Sequence, residues 1–377
     1  MKIAIDIRNI GRQKTGSEVV VLHMTKYLLQ IDQENTYFLL TDTDDNKILT
    51  EIRERLDLAD KTNALVVSLR AKNKFMWAAH TAPVWIRANK PDIYHTEYIV
   101  PFFVPRTTKL VTHIHDVSFK PYRSMISKKD IFFLDILIPW TLRRADQIIS
   151  VSDFTTSEIV KYYPFASDKI TTIYNAVGEN FLQRATQEEM TTAIMKYSLP
   201  EKFIFSLGTM QPRKNIPLLV AAFAKIAHKI PQSHLVLSGK RGHNFDATID
   251  QIIRETPLIA ERIHFTGFID DQDLPAVYAA AHVFAFPSLY EGFGIPLLEA
   301  FSQETPVIAS DTPIFREITD DGAVLSDPHS VDQFSNSLYD VCIAQNVRED
   351  LIRAGRERLC VYNWHKTAED VLKLYMK

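Results

Sequence analysis

Two α/β domains in tandem, each built on a parallel sheet, are what the sequence predicts, and three observations lead there. Short β-rich runs alternate with longer amphipathic segments. The runs are apolar at consecutive positions, which suits parallel strands buried on both faces. The series then repeats after a polar stretch, and 377 residues are too many for one ordinary core and comfortable for two.

In the first half Ile3–Ile7, Tyr37–Leu40, Leu65–Ser68, Ile93–His95, Leu110–His113 and Gln147–Val151 read as strands. Glu18–Gln30 and Lys128–Arg144 read as helices between them. In the second half Phe203–Leu207, Leu235–Ser238, Ile263–Phe265, Val283–Ala285, Val307–Ala309 and Ala323–Leu325 are strand-like, with helical patterns at Asn215–Ile230, Leu274–Ala281 and Ile295–Ser302. Gln183 to Met195 is polar and lacks a strand, and Pro200 precedes the next one. The boundary is therefore expected near 180–200, with domains at 1–185 and 196–360. Residues 361–377 read as one more helix after the second sheet is complete. Each half is Rossmann-like, and such sheets bind ligands outside the carboxyl ends of their strands. Two of them facing each other would form a cleft with a substrate on each wall.

Composition narrows the function. The chain is 46% hydrophobic and 24% charged with a net charge of -3, which argues against a nucleic-acid binder. Residues 1–185 hold 25 Lys+Arg against 21 Asp+Glu, and the remainder 18 against 25, so a basic half precedes an acidic one. Cys342 and Cys360 alone build neither a disulfide framework nor a zinc site. The N-terminus runs straight into a strand pattern with no signal peptide. The longest apolar stretch, Ile131 to Trp140, is short and broken by Asp135, so nothing spans a bilayer. A cytoplasmic enzyme is expected.

Several motifs fail. No G-x-G-x-x-G follows the first strand; Gly292 and Gly294 give G-x-G, but position 297 is leucine. Gly239-Lys240 lacks the rest of a P-loop, and no H-E-x-x-H exists. Asp42-Thr43-Asp44 and Asp271-Gln272-Asp273 match a metal-binding D-x-D, but aspartate is also favoured at the loops and helix starts expected there.

The informative stretch is Phe286-Pro-Ser-Leu-Tyr-Glu-Gly-Phe-Gly-Ile-Pro-Leu-Leu-Glu-Ala. It starts at the end of a buried strand, turns through Gly292 and Gly294, and enters a helix with Pro296 in its first turn. That helix aims backbone N–H groups and a positive dipole end at a ligand, which suits an anion. Glu291 and Glu299 bracket it, and carboxylates accept hydrogen bonds from sugar hydroxyls. A surface-loop Glu291 and a solvated Glu299 are the plainer readings of either residue alone. The second piece is Gly208-Thr-Met-Gln-Pro-Arg-Lys-Asn215, after the strand Phe203–Leu207. Gly208 allows close backbone approach. Arg213 and Lys214 bring two cations to the same sheet edge, suited to phosphate oxygens.

These residues together resemble the retaining glycosyltransferases of the GT-B fold, in the large family with an E-x7-E motif, here Glu291…Glu299. The resemblance covers nearly the whole chain. It extends to Ile263-His-Phe-Thr-Gly-Phe-Ile269, Thr305-Pro-Val307, Trp364-His-Lys-Thr-Ala368, Thr112-His-Ile-His-Asp116, Ser152-Asp-Phe154 and Tyr174-Asn-Ala176. It implies two facing Rossmann-like domains, with the last helix returning to the first. It implies that Glu299 binds the ribose hydroxyls of a nucleotide-sugar and Glu291 the hydroxyls of the transferred sugar. The amides of Phe293, Gly294 and Ile295 would contact sugar and distal phosphate, and Arg213 and Lys214 would stabilise the leaving diphosphate. Backbone around Gly267, Phe268 and Ile269 resembles the base-reading segment. Gly16, in the Thr15-Gly16 turn, resembles the loop that closes over the donor, in the reduced form Thr-Gly-Ser-Glu. His115 resembles the family's histidine on the donor hexose; for His113, a bond to neighbouring backbone is the better reading.

Bond cleavage builds negative charge on the phosphates, and Arg213, Lys214 and the helix N-terminus are arranged to meet it, so no divalent ion or other cofactor is expected. The implied reaction moves a hexose, mannose first, from a nucleotide-diphosphate sugar (GDP-mannose first, a UDP-sugar next) to a glycan or lipid-linked acceptor. A nucleotide-sugar 2-epimerase and a non-catalytic nucleotide-sugar-binding protein are the alternatives. The acceptor should lie against the N-terminal domain. There Lys72–Trp77, Trp85–Arg87 and Lys128–Leu134 mix basic and aromatic residues that could rest on the inner face of an anionic membrane, with an ordinary domain face as the other reading.

Overall fold

A computed structural model describes residues 1–11, 16–239 and 245–377. The described chain divides into two compact units, one of residues 1–176 with 363–377, the other of residues 177–362. The division falls at Ala176/Val177 rather than within 180–200. The polar stretch after it is not a linker: it forms the helix Gln187–Lys196, opened by a capping box between Thr186 and Glu189. Beyond that helix's end, Tyr197 donates its hydroxyl to Asp273 at 2.7 Å, and Lys196 reaches the same carboxylate at 2.6 Å. Both partners belong to the second unit.

The first unit holds seven parallel strands, β1 (Lys2–Asp6), β2 (Thr36–Thr41), β3 (Ala64–Ser68), β4 (Ile93–Glu97), β5 (Lys109–Ile114), β6 (Gln147–Ser150) and β7 (Ile170–Thr172), in the order β3-β2-β1-β4-β5-β6-β7. β1, β4 and β5 are almost wholly buried, which is why they read as continuous apolar runs. β7 escapes sequence reading because it is a three-residue edge strand, Ile-Thr-Thr, with no fully buried position. The final helix, Trp364–Met376, packs within this unit. Trp364 stacks on His23 and His365 meets Tyr27 edge-on, both partners lying on the helix Gly16–Ile31.

The second unit holds six parallel strands, β8 (Phe203–Leu207), β9 (His234–Ser238), β10 (Ile263–Gly267), β11 (Val283–Phe286), β12 (Val307–Ser310) and β13 (Ala323–Ser326), in the order β10-β9-β8-β11-β12-β13. Its core joins Ile204, Leu235, Leu237, Val283, Ala285 and Ile308 of the sheet to Leu219, Phe223 and Ile226 of the helix Ile216–Ile226. That helix is shorter than the expected Asn215–Ile230. Asn215 takes a left-handed conformation ahead of it, and the chain turns after Ile226.

Strand order reverses at β1/β4 in the first unit and at β8/β11 in the second. These are the points where open α/β sheets bind ligands.

Candidate active site

In the second unit the two informative loops leave adjacent strands, one from β8 and one from β11. Gly208, at φ 150°, donates its amide to the Ser238 carbonyl at 3.0 Å. Gly239, at φ 134°, crosses so near that a Cβ built on it would lie 1.9 Å from the Gly208 oxygen. Pro212–Lys214 forms a short 3-10 turn, ended by left-handed Asn215, whose Nδ2 donates to the Pro328 carbonyl at 2.9 Å. Two cations thus sit on a turn held at both ends. The β11 loop is tied to it, because the Leu289 amide donates to the Arg213 carbonyl at 2.9 Å and Arg213 Nη1 to the Tyr290 carbonyl.

Glu291 lies between those cations. Its Oε1 is 2.6 Å from Lys214 Nζ and its Oε2 is 3.2 Å from Arg213 Nη1. Lys214 Nζ also rests 5.1 Å from the centre of the Phe286 ring. Burial alone would raise the Glu291 carboxyl, but Lys214 and then Arg213 prevail and hold it well below the ordinary range. Three residues on, Gly294 at φ 108° starts the helix Ile295–Ser302, whose N-terminus no described side chain caps. Phe293 is buried edge-on against Tyr362.

Glu299 stands on that helix and accepts a 2.8 Å hydrogen bond from the Tyr278 hydroxyl. Burial pushes its pKa up to about 7, the Tyr278 bond pulls it down, and Asp271 adds a smaller push upward. Gly267, at φ 70°, offers its carbonyl to the Gly239 amide at 2.8 Å and the Ser238 hydroxyl at 3.0 Å. Phe268 is exposed, whereas Ile269 is buried.

In the first unit Asp6, at the end of β1, anchors the switch point. It takes two 2.8 Å bonds from Arg8 and one each from Trp77 and Thr96, both at 3.1 Å. His115 directly follows β5, and its Nε2 bonds Oε1 of Glu97, the last residue of β4. Glu97 also accepts from Asn9. His113 stacks on His115 with ring centres 4.8 Å apart, and His95 on His113 at 6.1 Å. His95 Nδ1 in turn meets the Tyr375 hydroxyl at 2.6 Å. Burial drives His113 and His95 well below the ordinary histidine value, so both are neutral near pH 7. Neither ring nitrogen of His113 finds a hydrogen-bond partner among the described residues, so the backbone bond expected from the sequence is not made. Gly16 is the exposed first residue of the helix Gly16–Ile31, and Thr15 lies outside the described residues, as does Lys240.

The two D-x-D stretches are engaged otherwise. Asp44 pairs with Arg70, and Asp273 with Lys196 and Tyr197. Among the described residues no group of three or more His, Cys, Asp or Glu lies close enough to hold a metal ion.

The structure joins Glu291, Arg213 and Lys214 directly, with Glu299 on the same helix-and-loop segment. It also supplies partners that sequence reasoning missed: Glu97 at His115, Asn9 at Glu97, Tyr278 at Glu299, and Gly239 beneath Gly208. For Glu97 and Asn9 the available signal was position just at or past the carboxyl end of a switch-point strand. For Gly239 it was a glycine closing β9.

The family described as Glycosyltransferase Family 4 matches residues 14–180, and that described as Glycosyl transferases group 1 matches residues 193–358. O-antigen chain mannosyltransferase B of Escherichia coli is 31% identical over 293 residues, 77% of this chain and 75% of that one. Serotype-specific mannosyltransferase WbdA of the same organism is 31% identical over 227 residues, 60% of this chain but 28% of that longer protein. Among solved structures, sucrose-phosphate synthase from Thermosynechococcus elongatus superposes with a TM-score of 0.77 at 19% identity, covering 100% of this chain and 98% of that one. The fold is therefore GT-B, and the chain is an enzyme that transfers a glycosyl group. The chain is a member of glycosyltransferase family 4.

Proposed function

We propose that this enzyme transfers mannose, with retention of configuration, from a nucleotide-diphosphate sugar to a glycan or lipid-linked acceptor. GDP-mannose is the first donor and a UDP-sugar the second. The observation that carries the reading is Glu291 held between Lys214 and Arg213, beside the uncapped start of the helix Ile295–Ser302. A donor diphosphate competes with Glu291 for the two cations and frees the carboxylate for the sugar hydroxyls. The anomeric carbon–oxygen bond to the diphosphate breaks, and the acceptor oxygen bonds that carbon on the same face. The acceptor's proton passes to the departing phosphate oxygen. Lys214, Arg213 and the helix amides, including those of Phe293, Gly294 and Ile295, meet the charge that develops. Gly208 keeps the β8 loop close to the phosphates, and backbone at Gly267, Phe268 and Ile269 meets the base. Glu299 takes the ribose, His115 takes the hexose, and Gly16, at the start of the helix Gly16–Ile31, takes part in donor binding. The relatives reported above are named as transferases, and neither the epimerase nor the binding-only reading draws support from them.

A donor panel read by thermal shift tests this, because a ligand selective for the folded state raises its apparent stability. On the selected nucleoside diphosphate, Glu299→Ala should weaken binding about tenfold or more, the loss of a charge-assisted pair of hydrogen bonds. Glu291→Ala should leave binding intact or tighten it, since it removes the anion that competes for Lys214, while turnover falls. Equal weakening in both variants contradicts the assignment.

The acceptor side carries a second expectation. Phe132, Phe133 and Ile136 are exposed on the helix Lys128–Arg144, which begins with Lys128 and Lys129, and Phe75 and Phe103 are exposed elsewhere in the same unit. This supports peripheral contact with an anionic membrane at its cytoplasmic face. No described helix is long and apolar enough to cross one. The double change Phe132→Ser, Phe133→Ser should lower the partitioning onto phosphatidylglycerol vesicles, read by cosedimentation, by about 10²-fold or more, as expected for losing two inserted aromatics. Unchanged cosedimentation removes this reading.

A further inference from the structure

Tyr278 lies on the helix Leu274–Ala280 and has no solvent exposure. Its ring is packed by Phe284 at 5.0 Å, Phe205 at 5.1 Å and Phe181 at 5.7 Å between centres. Its carbonyl accepts the Thr305 hydroxyl at 2.6 Å. Ring and backbone are both fixed, so the hydroxyl has one place to point, and there it donates to Glu299 Oε2 at 2.8 Å. A phenylalanine would fill the same aromatic pocket. The hydroxyl is what needs a reason, since a buried polar group unpaired is costly and this one is paired with a single partner that is itself partly buried.

We infer that Tyr278 is a positioning residue for nucleotide binding, its hydroxyl holding the Glu299 carboxylate ionised and oriented toward the ribose. The inference rests on the proposed role of Glu299. To accept two ribose hydroxyls the carboxyl must be ionised, because a protonated one gives up an acceptor site to its own proton. Burial opposes ionisation and places the carboxyl near pH 7, where a modest change in surroundings alters its charge. The charged and titratable groups around it are few. Tyr278 approaches from the helix Leu274–Ala280 and favours the anion, whereas Asp271 from the preceding loop disfavours it. On the other flank the helix Gln345–Leu359 presents Gly355 to Phe301, and its Arg356 is bound to Glu304. Among the described residues no cation acts on Glu299, and of these the tyrosine hydroxyl is its principal stabiliser. Between about pH 4.5 and about 7 the folded chain keeps a proton here that the unfolded chain has released, so this group lowers the stability of the free protein as pH rises through that window. Nucleotide binding requires the opposite form and should strengthen over the same range.

The test is calorimetric affinity of the full chain for the nucleotide sugar selected by the donor panel, from pH 5.5 to 8.5. The diphosphate of a nucleotide sugar is esterified at both ends and has no proton to exchange in that range, so the midpoint belongs to the protein. The native chain should lose affinity about tenfold per unit below a midpoint near neutrality. Tyr278→Phe should move the midpoint up by about one unit and recover to within about threefold of native affinity at pH 8.5. A uniform loss at every pH would make the tyrosine merely structural and overturn the inference, as would coincident profiles. Should Tyr278→Phe fail to fold, a flat native profile overturns it and a neutral midpoint abolished in Glu299→Gln sustains it. If Glu299→Gln keeps native affinity and native pH dependence, the ribose assignment itself has failed, whatever Tyr278→Phe does.

Discussion

Lys214→Ala is expected to reduce turnover by about 10²–10³, the range for losing one preorganised electrostatic contact to developing charge. Lys214 is paired with Glu291 at 2.6 Å, a contact that the proposed mechanism would exchange for phosphate when donor binds. The gain on binding is therefore partly cancelled by the ion pair given up. The gain on bond cleavage would not be, because the leaving diphosphate then carries more charge and, on the proposed mechanism, Glu291 would no longer compete for the cation. So the loss should appear mainly in kcat, with donor affinity changing less. A donor with a better leaving group should partly rescue Lys214→Ala and should not rescue His115→Ala, whose loss is in sugar positioning. Single-turnover kinetics with the two donors decide the matter. Equal rescue of both variants, or of neither, removes Lys214 from leaving-group stabilisation.

Gly239→Ala should lower the melting temperature by about 5–12 °C, equivalent to about 2–4 kcal/mol. The added Cβ would lie 1.9 Å from the Gly208 oxygen and 2.7 Å from its carbon, and both are backbone atoms that cannot rotate aside. The φ of 134° is also one that alanine avoids. The loops of β8 and β9 must part, which moves Gly208 from beneath the Lys214 side chain, now 3.5 Å from where a Gly208 Cβ would be. Donor binding should weaken with stability. Gly16→Ala is the control, because a Cβ there meets nothing within 4 Å among the described residues beyond its own chain neighbours and helix. Indistinguishable melting of the two variants would show that the crossing is not as close as described.

What was legible in the sequence follows from what each residue touches. Strands such as β5 and β11 were readable because parallel strands buried on both faces need an unbroken apolar run. β7, short and at an edge, needs none. The Glu291 loop was readable because glycines, a first-turn proline and two carboxylates fall within one continuous stretch. The Arg213-Lys214 turn was readable as a source of cations, but not its ion pairs with Glu291, which join residues 77 and 78 positions apart. Tyr278 looked like any core aromatic, since nothing local tells a hydroxyl aimed at a carboxylate from one aimed at solvent. The boundary was misplaced because a polar helix and a linker share composition, and the capping box that separates them spans only Thr186 and Glu189.

The first unit is discontinuous in the chain, and this bears on how the protein is made. Its helix Gly16–Ile31 receives Trp364 and His365 only after the whole second unit has been synthesised. Tyr375 reaches His95, and Thr367 reaches the Tyr174 carbonyl at 2.7 Å, across 193 to 280 residues of sequence. During translation the earlier-made unit therefore waits with an uncovered apolar helix face, while the later-made one, unbroken from 177 to 362, can close first. At about 5–20 residues per second that exposure lasts on the order of ten seconds or more. Cutting the gene at residue 176 would leave the first unit without the helix Trp364–Met376 permanently.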